Sequence, residues 1–424
     1  MAVNKNMEKP INLKGLTFLV PFLLIPIFGS IALGFILGMA IFLIFYFLVK
    51  KNRDNTPTLF KTIGVIFISY FTYYAVQGFF YSSNFSLHMH DLGKIFPILI
   101  IGILALLLKT NTFKISYKIL SFVAVSSIYL TSVLAFIFYY FQPDVVISGQ
   151  SLAQKTGVLS RLEMGTGNAL PFATIFITFA FLTCLGYDRK SMLEKIISFS
   201  ALIVAILIVA FWNLSRGPLL LVAPLIFLMI WYLFKSSISE KTWRPLILGS
   251  IVITLLGISF IIIQNFEHAM SKHMINGLRE LASTGSFDQS VRIRLTLYRA
   301  GFEAFFVNPI FGYGIGNLVE TQYQFLSETQ PKYSHFHNVF LNHMIAGGLV
   351  GLAFLLMLAT LPLLILWQKR DTISINGIYL SFLIVITIFG AGMSNVLFFH
   401  DLLAGFFSGL ILIAAIALNQ PQGR

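Results

Sequence analysis

Apolar runs of about 17 to 25 residues recur along the whole chain, each long enough to cross a ~30 Å hydrocarbon core as an α-helix. They predict twelve spans, at 15–29, 30–49, 62–80, 95–108, 119–141, 168–185, 196–212, 218–234, 245–263, 339–367, 377–394 and 402–417. A transmembrane barrel would instead alternate over segments of about ten residues. The stretch between Lys14 and Lys50 holds two short spans only if the chain turns at Gly29-Ser30, and Pro21 and Pro26 kink the first. One long helix there would invert everything downstream. A single long polar interval, Gln264 to His337, separates the ninth span from the tenth. The expected organisation is nine spans over 1–263, a polar loop region with an interfacial helix over 264–338, and three spans over 339–424. The expected fold class is an all-α polytopic membrane protein of about twelve helices with one larger outer loop region.

Composition agrees with this. Of 424 residues 57% are hydrophobic and 11% charged, with a mean hydropathy of +0.85, whereas a soluble domain carries roughly a quarter charged residues. The net charge of +13 has a topological origin. With the amino terminus inside, the cytoplasmic segments hold nineteen of the 29 basic residues against six acids, an excess equal to the whole net charge. Both termini are therefore expected in the cytoplasm, and the charge implies no nucleic-acid partner. The first apolar run flows into a second without a small-residue cleavage site, so it reads as an anchor rather than a signal peptide. The one cysteine, Cys184, lies in an apolar run and reads as a small core residue.

Ten cations remain on the outer side against the positive-inside trend: Lys94, Lys155, Arg161, Arg216, Lys272, Arg279, Arg292, Arg294, Arg299 and Lys332. A cationic platform at the edge of a bilayer suits a lipid-borne anionic substrate. Arg216 sits in Asn213-Leu214-Ser215-Arg216-Gly217-Pro218, a hairpin between two spans with almost no loop. It either snorkels to headgroups or grips a phosphate through its planar fork. Residues 290–308 read as an interfacial helix. At 100° per residue Val291, Leu295, Tyr298, Phe302, Phe305 and Phe306 share one face, with Arg292, Arg299 and Glu303 opposite. Arg294 falls at the edge of the apolar stripe and is the first choice among these arginines for substrate contact.

Pro309 ends that helix, and Gly312-Tyr313-Gly314-Ile315-Gly316 follows. No strand precedes it, so the dinucleotide reading fails. The glycines permit close packing or offer amides to an anion. His335, His337, Asn338 and His343 surround the start of the tenth span. Histidine is suited to accept a proton from an attacking hydroxyl; a metal site is the weaker reading, because no carboxylate lies beside the pair. His400-Asp401 orients a catalytic group or caps a helix. Arg161 and Glu163 bind an acceptor or are ordinary loop charges. There is neither a Walker loop nor an Asp-x-Asp pair for a nucleotide sugar, so activation must arrive in a lipid-linked donor.

Three groups of residues on the outer side occur in a characteristic order: Ser215-Arg216-Gly217 opening a span; Arg294-x-x-x-Tyr298 leading to Pro309-x-x-Gly312-x-Gly314-x-Gly316-Asn317; and His337-Asn338-x-x-Leu341 with Gly347-Gly348-x-x-Gly351. Over about residues 200 to 360 the set resembles the O-antigen ligase/polymerase superfamily, most of all its lipopolysaccharide O-antigen ligases. Tyr298 stands where a tryptophan is common. The resemblance implies a fold similar to the C-type glycosyltransferases, and a bacterial inner-membrane protein with its active site facing the periplasm. It implies an undecaprenyl-diphosphate-linked glycan as donor, lipid A-core as acceptor, and inverting transfer without metal or other cofactor. Carried onto this chain, Arg216 and Arg294 neutralise the leaving diphosphate, His337 activates the acceptor hydroxyl and Asn338 positions it. Arg292, Arg299, His335, Arg161 and Asp401 complete the expected substrate-binding set. A polymerase of the same lipid-linked glycan and a transferase to a pilin are the related alternatives. A transporter of the same lipid would need charges in mid-span, and the spans carry almost none.

Overall fold

The structure, a computed structural model, describes residues 13–49, 56–81, 84–108, 113, 115–141, 147–148, 161–162, 164, 169–213, 215–236, 289–327 and 333–419. The expected span at 245–263 and the 264–288 part of the polar interval lie outside these residues. Every other expected span is helical. The helices are α1 (Leu13–Phe28), α2 (Ser30–Val49), α3 (Thr58–Tyr81), α4 (Phe85–Leu107), α5 (Tyr117–Phe141), α6 (Ala169–Leu182), α7 (Met192–Ile208), α8 (Arg216–Leu220), α9 (Val222–Ser236), α10 (Gln289–Val307), α11 (Leu318–Phe325), α12 (Val339–Gln368), α13 (Ile375–Gly392) and α14 (Asp401–Leu418). A two-residue antiparallel pair, β1 (Ile147–Ser148) with β2 (Arg161–Leu162), lies between α5 and α6. Among the described residues eight helices are long and apolar enough to cross a bilayer, and shorter apolar helices occupy Leu19–Phe28 and Ala169–Leu182. Apart from the short β1–β2 pair the regular structure of the described residues is helical, and the protein is a multi-pass membrane protein.

The chain reverses at Gly29, so α1 and α2 are two helices packed on each other. α14 is apolar around its whole circumference, and every residue from Leu402 to Leu418 is buried. Such a helix belongs at the centre of a bundle. It packs along α4 and also touches α2, α3, α6, α12 and α13. α2 by contrast turns Phe35, Phe42 and Phe45 outward, the exposure expected where lipid replaces water.

Cross-contacts define the two ends of the bundle. At one end Asn317 Nδ2 donates to the Tyr81 carbonyl at 2.7 Å, and Asn213 Nδ2 to the Ala169 carbonyl at 2.8 Å. At the other, Lys118 pairs with Glu194 at 3.0 Å and the Gly186 amide donates to Asn376 Oδ1 at 2.7 Å. The first is called the site end below.

α12 is broken near its start. Gly348 has φ +60 and ψ −153, which separates a short half-helix, 339–347, from the remainder. Broken helices survive at membrane depth only when other groups satisfy the freed backbone. Here the 309–314 turn does so. Tyr313 and Gly314 amides donate to the Ile345 and Ala346 carbonyls at 2.8 and 2.9 Å, and Leu349 N–H donates to the Pro309 carbonyl at 2.8 Å. From α3, Tyr73 Oη donates to the Gly347 carbonyl at 2.7 Å and Gln77 Nε2 to the Ala346 carbonyl at 2.6 Å. A Cβ on Gly312 would strike the Ile345 carbonyl and one on Gly348 the Ile310 carbonyl, and both have positive φ. The close approach fits the packing reading of this glycine cluster, and the Gly312, Tyr313 and Gly314 amides all go to carbonyls.

Candidate functional site

His337 occupies the loop that feeds the half-helix, in the left-handed region at φ +52. Left-handed backbone is uncommon for residues other than glycine, though histidine is among those enriched there. Asn338 follows at the N-cap. Its Oδ1 accepts from the Phe340 and Leu341 amides at 2.9 and 3.1 Å, and its carbonyl accepts from Asn342 Nδ2 at 2.7 Å. The Phe336 amide donates to Asn342 Oδ1 at 3.0 Å. Asn338 thus holds the helix start that carries His337, a positioning part that the expected substrate-binding role did not include.

His343, one turn into the half-helix, is fully buried. Its Nδ1 donates to the Val339 carbonyl at 2.7 Å, so Nε2 accepts from Tyr70 Oη at 2.9 Å, and the ring stacks on Phe399 at 4.2 Å. It is a structural residue.

His335 and His337 lie edge to face with ring centroids 4.2 Å apart. The His337 amide donates to His335 Nδ1 at 3.1 Å, so neutral His335 carries its proton on Nε2. Burial, followed by His337, His400 and Lys94, pushes His335 down to about 3. Burial, followed by the Arg294 guanidinium, pushes His337 down to about 4. Both rings are therefore neutral near pH 7. His337 Nδ1 is buried and has no hydrogen-bond partner among the described residues.

Arg294 reaches His337 from α10. The buried face of that helix is Leu297, Ala300, Ala304 and Phe305, and a Cβ on Gly301 would clash with Leu341 and Ile345 of the half-helix. The expected apolar stripe is corrected here. Leu295, Phe302 and Phe306 are 47%, 48% and 75% exposed, because the small side chains let α10 approach α12 closely and the large ones turn outward. Arg294 is half-buried, and among the described residues no ion pair neutralises it. Arg292 faces outward, and Arg299 pairs with Glu303 at 2.9 Å with its side chain 84% exposed. Of the three, Arg294 is the one whose charge acts on His337.

Tyr298 closes the arrangement. Its hydroxyl lies 3.0 Å from the Met393 carbonyl, to which it donates, and 3.4 Å from that of His337. Met393 begins the turn between α13 and α14, and the next residue, Ser394, lies against Gly217, where a Cβ would clash with its Oγ. The backbone of Arg216, which opens α8 behind an N-cap Ser215, is thus brought to the same end as Arg294 and His337. Sequence reasoning missed the 393–395 turn altogether, since nothing in its residue types marks it. The α3 residues Tyr70, Tyr73, Tyr74 and Gln77 were legible in principle, as a polar stripe at helical spacing in an apolar span.

On the other side of His335 stand His400 and Asp401. His400 is at the N-cap of α14 but makes no side-chain cap bond; instead Asp401 Oδ1 accepts from the Leu402 amide at 2.7 Å. His400 Nδ1 lies 3.2 Å from Asp401 Oδ1, and His400 holds the Asp401 carboxyl below its usual range. Arg161 is removed from this arrangement in the chain, its backbone paired with Ser148 in the small sheet. Glu163 lies outside the described residues. Among the described residues no three His, Cys, Asp or Glu side chains are grouped as a metal ion would require.

No curated protein matches the chain. Residues 201–356, from the middle of α7 to the middle of α12, match the family model described as O-antigen ligase. That interval contains Arg216, Arg294, Tyr298, His335, His337 and Asn338. Over that interval the chain is similar to the O-antigen ligase family, a family of glycosyltransferase-like enzymes.

Proposed function

We propose that the protein is an O-antigen ligase, transferring a preassembled glycan from undecaprenyl diphosphate to lipid A-core at the periplasmic face of the inner membrane, with inversion and without a metal ion. One observation carries this reading. A half-buried arginine with no carboxylate partner among the described residues stands beside a neutral histidine whose Nδ1 has no partner. Arg294 takes the charge that develops on the leaving diphosphate, where a preorganised cation lowers a barrier most. Arg216 opens the adjoining helix and serves the same group. His337 removes the proton from the attacking hydroxyl of the acceptor.

The depressed basicity of His337 fits this order of events. With a pKa of about 4 it is a weak base in the free enzyme. Burial is the larger influence that holds it down; a diphosphate paired with Arg294 offsets the smaller one, so donor binding raises its basicity.

The test is a reconstitution of purified protein with an undecaprenyl-diphosphate-linked glycan and lipid A-core, in the presence of a chelator. The expected result is glycan on lipid A-core with release of undecaprenyl diphosphate. Lengthening of the lipid-linked glycan would make the protein a polymerase, and no product of either kind would overturn the ligase reading in favour of a protein acceptor.

A further inference from the structure

His337 has two sides, and their charge balance differs. Toward α10 stands Arg294, with no acid beside it among the described residues. Toward α4 stands a set in which a carboxylate accompanies the cation. Lys94 Nζ donates to Asp91 Oδ1 at 2.5 Å, and His90 Nδ1 lies 3.1 Å from the same oxygen. The Lys94 and Asp91 side chains are 36% and 22% exposed, so the pair lies at the bundle surface without being free of it.

The packing of α4 on α14 brings this pair to the site. A Cβ on Gly405 of α14 would sit 3.4 Å from Pro97 Cβ of α4. Both helices begin at the site end, so one turn nearer that end along each are Asp401 and Lys94. α4 also packs against the Leu397–Phe399 turn that leads into His400. Lys94 is accordingly close enough for its charge to act on His335. Arg294 thus acts on His337, while His400 and Lys94 act on His335, whose ring meets that of His337 edge to face.

Inverting displacement needs the acceptor hydroxyl opposite the departing diphosphate. If the surplus cation marks the donor side, the acceptor enters from the side of α4. That side is poorly suited to phosphate, which would meet Asp91 and Asp401 as well as Lys94. It is well suited to sugar hydroxyls, which can donate to carboxylates and accept from an ammonium or a ring N–H in one arrangement.

We propose that the outer end of α4, through Lys94 and Asp91, is the acceptor-binding side of the site and holds an uncharged saccharide unit by its hydroxyl groups. This rests on the transferase reading above, and its test is a binding measurement that needs no turnover. Wild type and the variants Lys94→Met, Asp91→Asn and Arg294→Ala, each in detergent micelles, are titrated separately with lipid A-core and with undecaprenyl diphosphate.

The α4 variants are expected to weaken lipid A-core binding about tenfold and leave undecaprenyl diphosphate binding unchanged, with Arg294→Ala showing the reverse. Dephosphorylated lipid A-core should follow the same pattern, because the recognised groups are hydroxyls. Unchanged acceptor affinity in both α4 variants would overturn the proposal. So would equal loss of both ligands, which would make the pair a structural brace, or a wild type with no affinity for lipid A-core. Failure of transfer with this binding pattern intact would overturn the ligase reading instead.

Discussion

The two ends of the bundle treat buried polar groups in opposite ways. At the end opposite the site, Lys190 is almost wholly buried, yet its ammonium donates to Ser121 Oγ and Ser198 Oγ, both at 2.6 Å, and to the Thr183 carbonyl. Around it Tyr232 Oη donates to Asn376 Oδ1 at 2.6 Å, Asn376 Nδ2 to Asp188 at 3.3 Å, and Tyr379 Oη to the Phe181 carbonyl at 2.8 Å. The network ties α5, α6, α7, α9 and α13 together and leaves none of these atoms without a partner. At the site end Ser215 Oγ, His337 Nδ1 and Asn395 Nδ2 are buried and unpartnered among the described residues. An unsatisfied buried polar atom costs about 1–3 kcal/mol. The Lys190 network is closed within the protein, whereas the atoms left open at the site end are available to the ligand of the proposed reaction.

The reciprocal pair Arg294→Ala and Lys190→Met gives the largest expected effects. Arg294→Ala should lower transfer by roughly 10²–10³, the range for loss of one group that stabilises developing charge, with thermal unfolding in detergent unchanged. Lys190→Met should lose about 1–3 kcal/mol of stability, by removing the donor that three acceptors share, with ligand affinities retained in the folded fraction. If Lys190→Met abolished ligand binding while remaining folded, the division between the ends would be lost.

A smaller effect is expected in the pH profile. His337 must be neutral to act as a base, so activity should fall on the acid side as it gains a proton. In the free enzyme that limb, read from kcat/KM, should lie near pH 4. In the donor complex, read from kcat, it should lie higher, because the diphosphate offsets Arg294. Coincident limbs would show that His337 does not sense the donor.

The smallest effect concerns strain. His337 holds a left-handed backbone at φ +52, which typically costs a residue other than glycine about 1–2 kcal/mol. His337→Gly should hold or raise stability by up to about 1 kcal/mol while transfer is lost. A variant clearly less stable than wild type would show that the imidazole is a packing element, like His343.

The eight described helices able to cross a bilayer were legible because hydrophobic length alone decides what can cross it, and the turn at Gly29 followed from the room available between Lys14 and Lys50. Arg294, His337 and the Arg216 turn stand out in the sequence as polar groups at the edges of apolar runs, and the structure brings them to one end of the bundle. The face of α10 was misread. Helical periodicity assumes that large apolar residues point inward, and beside a membrane they can point outward while Ala300, Gly301 and Ala304 make the contact.

The sequence by itself determined that this is a helical, multi-pass membrane protein with cations and histidines gathered between its ninth and tenth apolar runs. Those features follow from hydropathy, length and charge, which are properties of local segments. Only the tertiary structure decided that Asn338 caps a half-helix, that His343 is structural, and that α12 breaks at Gly348 under the 309–314 turn. Only it brought Lys94 and Asp91 to the site through the packing of α4 on α14. Each of these depends on which atoms meet across hundreds of residues, and hydrogen bonds and close contacts at that separation leave no period in the chain.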